Sequence, residues 1–258
     1  MSSSTVLLLL VPSFFFCVLL FVEIGRRLGT RRVEEETERE RQVRSTLESA
    51  IFALLGLMIA FTYAGAASRF DTRRMLTVQE ANAIGTAYLR LDALPAATQP
   101  ALREKFRQYA VARIARYQVL PDVEASDVHA RRARALQSEI WTDAFTALRG
   151  AESAAPLLLV PALNEMIDIT STRAIMLGTH TSPVVLAALL VLTLVCSMLT
   201  GNGLARKRSR GPPLHTLGFA LVLTATMYVI LDLDHPRFGL IQLDYVDQAL
   251  SDVLAGMK

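Results

Sequence analysis

Four apolar runs, at residues 5–24, 47–67, 183–200 and 214–231, constrain this chain more than any other feature, because few environments suit them. At 1.5 Å of rise per residue each run gives a helix of roughly 27 to 32 Å, close to the hydrocarbon core of a bilayer. Charged residues stand only near their ends. A lipid-facing backbone must bond to itself, so runs of this kind span as helices. Composition agrees: 52% hydrophobic residues is too apolar for an ordinary soluble domain, and 20% charged residues is too many for a wholly buried bundle. The fold class read here is an all-α integral membrane protein, with four transmembrane helices in a 2+2 arrangement and a central extramembrane helical module.

The corresponding division is a first transmembrane helix at 1–25, a basic and acidic loop at 26–46 and a second transmembrane helix at 47–67. The helical module follows at 68–182, then a third transmembrane helix at 183–200, a basic loop at 201–213, a fourth transmembrane helix at 214–231 and a tail at 232–258. The first run reads as a retained helix. No Lys or Arg precedes it, it is long for a signal peptide, and no A-x-A site follows.

Topology follows the Lys and Arg count near the helix ends. One short loop holds Arg26, Arg27, Arg31, Arg32, Arg39, Arg41 and Arg44, and the other holds Arg206, Lys207, Arg208 and Arg210. Both short loops are therefore expected in the cytoplasm, and the module on the outer face. Arg69, Arg73 and Arg74 pull the other way. Residues 31–48 pair acid with base at helical spacing, as in Glu35 and Arg39 or Glu40 and Arg44, which fits a solvated helix leading into the second run. The net charge is +3, but the arginines cluster beside the spans and form no stripe interleaved with aromatics, which argues against nucleic acid as a partner. Cys17 and Cys196 lie inside apolar runs, so no disulfide framework or CxxC metal site is expected.

Breakers place four helices in the module. Asp71 caps the first, which runs to about Leu94 before Pro95, with Met75, Val78, Ala81, Ile84, Tyr88 and Leu91 on one face. The second starts near Thr98 and Pro100 and stops before Pro121. The third starts at Ser126 or Asp127 and ends at Gly150, with Leu136, Ile140, Ala144 and Leu148 inward. The fourth covers about 156–177, with Pro161 inside it and Gly178 beyond its end. No segment alternates with period two, so strands are not expected.

Catalytic signatures are missing: there is no GxSxG, no glycine-rich phosphate loop and no carboxylate pair within a span. No enzyme activity, catalytic residue or cofactor is expected. In the fourth module helix, Asn164, Asp168 and Thr172 share a face, with Glu165 and Arg173 nearby; these can hold an ion or form a salt-bridge face. Asp232, Asp234 and His235 are chemically suited to a metal, but His129, His180 and His215 are distant in sequence and no HExxH spacing exists. A turn at Pro236 and Gly239 that seats the tail against the module is the preferred reading, and no metal site is expected. Gly56, Ala60 and Ala64 make small-residue steps in the second run, which suit helix packing or an apolar constriction.

Three stretches, at 70–95 (FDTRRMLTVQEANAIGTAYLRLDALP), 163–173 (LNEMIDITSTR) and 231–244 (LDLDHPRFGLIQLD), together resemble the bestrophin-like domain family of bacterial membrane proteins. The matching positions are Asp71, Arg73, Glu80, Asn82, Ile84, Gly85, Tyr88, Asn164, Asp168, Arg173, Asp234, Pro236 and Gly239. The resemblance implies a distant likeness to bestrophin anion channels. It therefore implies a homo-oligomeric pore in the lipid bilayer, lined by the second span, with Phe52, Gly56, Ile59, Ala60 and Tyr63 as its wall. It also implies a cytoplasmic module, opposite to the loop arginines. The acidic calcium-binding pattern of animal bestrophins has no residue-by-residue match here. The expected function is a bestrophin-like membrane protein acting as an oligomeric anion-permeable channel. The alternative is a membrane-anchored sensor or scaffold whose module binds a ligand or a partner protein.

Overall fold

A computed structural model of the chain describes residues 3–30, 37–120, 122–206, 214–235, 240–241 and 244–257. The described residues form helices α1 (Ser3–Thr30), α2 (Glu38–Leu89), α3 (Gln99–Gln118), α4 (Val123–Leu148), α5 (Ala155–Leu177), α6 (Pro183–Arg206), α7 (Leu214–Asp234) and α8 (Asp244–Gly256). A 3-10 turn, Arg90–Ala93, follows α2, and no strand occurs among the described residues. The chain divides into two compact units: Met1–Arg69 with His180–Leu240, and Phe70–Thr179 with Ile241–Lys258.

The first unit contains all four apolar runs, and the helices that carry them are long and apolar enough to cross a membrane. Its tightest packing joins α1 to α6. A Cβ added at Gly25 would stand 2.0 Å from the Met198 carbonyl oxygen, and one at Gly201 would stand 1.8 Å from that of Val22. The two backbones touch because no side chain separates them, which maximises dispersion contact where lipid offers no hydrophobic drive for association. The small-residue steps in the second run do not make such a contact within the chain. Gly56, Ala60 and Ala64 are exposed, and nothing lies within 4 Å of a Cβ built at Gly56. That stretch of α2 instead packs through Leu55, which meets Leu189 and Cys196 of α6 with Phe52 and Ile59 alongside.

The second unit has its own core, in which Ile84 and Leu91 meet Phe106 and Tyr109 of α3, Ile140 of α4 and Leu163 of α5. Asp71 does not start a helix. It lies within α2, exposed, with Arg74 Nη1 3.4 Å from its carboxylate, because no Pro stands between Glu38 and Leu94 to stop the helix. Met75 and Val78 are also exposed. The stripe that α2 buries here runs through Arg73, Thr77, Glu80, Ile84 and Tyr88, so its first half is polar.

The remaining module helices lie near their expected positions. Thr98 is the N-cap residue of α3, with Pro100 in the first turn where its missing N–H costs nothing. α4 starts earlier than Ser126, because the Asp122 carboxylate accepts the Ala125 N–H at 3.0 Å and caps it. Ser126 is buried on the inner face of α4. Pro161 lies inside α5, and Gly178 is its C-cap. The tail contributes α8, an element not among those expected from the sequence. Its Leu250 and the following Met257 join the core of this unit, and Val253 lies 3.7 Å from a Cβ built at Gly85.

Candidate functional site

The residues proposed as a pore wall occupy two sides of α2. Phe52 and Ile59 turn inward, Phe52 meeting the Phe219 ring edge-on at 6.3 Å between centroids. Gly56, Ala60 and Tyr63 lie at four- and three-residue steps on the exposed side, an uncharged stripe of two small residues and one phenol. Of the five, these three share an exposed face.

In the second unit the polar half of the buried stripe is an ion-pair knot. Glu80, fully buried, accepts from Arg113 Nε of α3 through one carboxylate oxygen and from Arg173 Nη1 of α5 through the other. Arg113 also donates to the Tyr117 hydroxyl at 2.7 Å. Two buried guanidiniums exceed one carboxylate in charge, and the Tyr117 ring takes up part of the excess: the Arg173 guanidinium lies 4.0 Å and that of Arg113 5.4 Å from its centroid. Burial by itself pushes the Glu80 carboxyl up, but Arg113 and Arg173 outweigh it and hold the group below the ordinary carboxylate range. Beside the knot, the Tyr109 hydroxyl accepts from Gln137 Nε2 at 3.0 Å, and burial pushes its pKa up. The knot ties three helices at one point. A carboxylate one turn before Ile84 and two turns before Tyr88 on the same helical face is the sequence signal for it, since a buried charge needs a partner; Arg113 and Tyr117 then qualify as lying one turn apart on the inner face of α3.

Arg173 therefore does not join Glu165 and Asp168 in an ion-holding group, because it occupies the buried side of α5 while Asn164, Glu165 and Asp168 are exposed. The Thr172 hydroxyl donates to the Asp168 carbonyl at 3.1 Å, a bond along the helix that engages no ligand. Asn82 is likewise exposed, whereas Tyr88 is buried, edge-on to Phe106 at 6.0 Å and under the Arg103 guanidinium at 4.8 Å. Arg73 has a structural use that the sequence hides. It donates through Nη2 to the Thr179 carbonyl at 2.7 Å and through Nε to that of Met176 at 3.3 Å, tying α2 to the backbone at the end of α5.

In the first unit, Asp234 at the end of α7 is also buried. Its Oδ1 accepts from Arg69 Nε at 2.8 Å and its Oδ2 from the Thr181 N–H at 2.7 Å. Arg69 Nη2 donates to the Thr181 hydroxyl as well, so the segment before α6 is fixed to the end of α7. Asp232 accepts the Leu240 N–H at 3.1 Å. His180, distant in sequence, is brought against His235, the two rings stacked 4.3 Å apart with 6° between their planes. Pro236 and Gly239 lie outside the described residues, as do Arg31, Arg32, Lys207, Arg208 and Arg210.

Comparison with solved structures gives the same architecture. A bacterial bestrophin homologue from Klebsiella pneumoniae, in one variant, matches with a TM-score of 0.68 at 14% identity, over 95% of this chain and 98% of that one. Another variant of it matches at 0.66, with 14% identity over 94% and 99% of the two chains. A structure described as a membrane protein matches at 0.68 and 14% identity, over 95% and 98%. No curated protein matches by sequence. The model of the Bestrophin-like domain matches residues 13–246, most of the chain, and the protein therefore belongs to the bestrophin-like family.

Proposed function

We propose that this bestrophin-like membrane protein assembles with copies of itself into an anion-permeable channel, with the outward stripe of α2 at Gly56, Ala60 and Tyr63 as the wall of the conducting path. The observation that carries the reading is that stripe: uncharged, narrow in side-chain volume and exposed within the single chain. A ring of such stripes makes a short apolar constriction, which passes ions only when wetted and so is able to gate. Phe52 and Ile59, packed inward, support the wall from behind. Family membership and the absence of charge from the middle of the apolar runs support the same reading.

The test is flux through liposomes holding the purified protein, with cysteine placed singly at Gly56, Ala60 and Tyr63 in a background lacking Cys17 and Cys196. Chloride should pass, and a thiol-reactive charged reagent should change its flux at all three positions but not at Leu55, which is buried. Absence of flux from protein that elutes as a monomer would sink the proposal. Sodium passing in preference to chloride would remove its anion part.

A further inference from the structure

We infer that His180, Asp234 and His235 form a binding site for a divalent transition ion of the zinc class. The site lies wholly within the first unit and is separate from the proposed ion path. One ligand atom from each residue lies within 4.8 Å of the others. Tetrahedral ligation at ordinary zinc distances places donor atoms about 3.3 Å apart, so the three donors must draw together when the ion enters.

The protonation pattern favours a metal. His180 Nδ1 lies 3.0 Å from the Asp234 carbonyl oxygen, and His235 Nδ1 lies 3.3 Å from that of Leu231. A carbonyl oxygen only accepts, so in each neutral ring the proton sits on Nδ1 and the lone pair on Nε2. An imidazole that ligates through one nitrogen while its other N–H meets a backbone carbonyl is the arrangement that fixes histidine tautomers in metal sites. The Asp234 carboxylate is oriented in turn by Arg69 and Thr181.

The donor set also selects the ion. Two imidazole nitrogens and one carboxylate suit zinc, nickel or copper, whereas calcium and magnesium require a shell mainly of oxygens.

Chelator-treated full-length protein in detergent, titrated with zinc chloride against a chromophoric indicator, should bind one ion per chain. The paired change His180→Ala with His235→Ala should weaken binding at least tenfold, whereas His129→Ala with His215→Ala should leave it unchanged. Zinc-edge X-ray absorption should show two imidazoles around the ion. Size-exclusion elution and Trp141 fluorescence establish that the variants are folded. If the paired variant does not fold, the absorption spectrum of the natural protein decides by itself. Lack of saturable zinc binding, binding insensitive to the His180 and His235 changes, a first shell without imidazole, or calcium competing as well as zinc would each overturn the inference.

Discussion

Glu80 shows how one buried side chain specifies the second unit. Removing its charge while keeping its shape, as in Glu80→Gln, leaves Arg113 and Arg173 facing each other without a counter-ion. The expected cost is roughly 3 to 5 kcal/mol. Trp141 is the single tryptophan, packed 4.6 Å from Phe145 in this unit, so its emission during denaturant unfolding measures the loss directly. The same residue sets an acid limit. Because the Glu80 carboxyl lies below its ordinary value of 4.5 in the folded state, its contribution is complete above about that pH and is lost as pH falls through the depressed value. Emission-monitored stability should therefore drop below pH 4.5, and Glu80→Gln should flatten that drop. A variant that keeps the full acid dependence would assign it to other carboxylates. Little of this was legible at the residue level. Glu80 is visible as a matched motif position, but its partners come from helices 33 and 93 residues away, and no local spacing encodes that meeting.

The close contact of α1 with α6 has no tolerance for added volume. Gly201→Val places a branched side chain against the backbone of α1, and the helices must separate or shift register. A loss of about 1 to 3 kcal/mol or more is expected, seen as a lower midpoint for thermal aggregation in detergent. The same change at Gly218, where nothing lies within 4 Å of an added Cβ, should have little effect on that midpoint. Helices are the most legible level of this protein, because apolar runs and breakers determine them locally. α3 and α5 start and stop close to where Thr98, Pro100 and Gly178 place them. The misses have local causes too. Asp71 resembles a cap, yet with no Pro to interrupt it α2 continues from Glu38 to Leu89. α8 carries a clear amphipathic pattern, with Ala249, Leu250, Val253 and Leu254 at helical steps, but at 13 residues it is too short to register as a span or as one of the long module helices.

For the whole molecule the arginine distribution and the family resemblance predict opposite sides for the module, and labelling separates them. A cysteine at Ser138, exposed on α4, and another at Ser209, in the second basic loop, each in a background without Cys17 and Cys196, provide one reporter for each side. With the basic loops in the cytoplasm, a membrane-impermeant reagent should label Ser138→Cys and not Ser209→Cys in intact cells. The reverse pattern would place the module inside. The close approach of α1 and α6 at Gly25 and Gly201 has a further consequence, for synthesis. At 5 to 20 residues per second the ribosome takes on the order of ten to thirty seconds to make the chain between these two glycines. During that interval α1 is held in the bilayer with its contact surface against lipid or against the translocation machinery. The earliest-made helix is thus among the last to acquire its permanent neighbour, and Gly25 and Gly29 are the positions at which a slowed or paused ribosome would expose the nascent protein to wrong pairing.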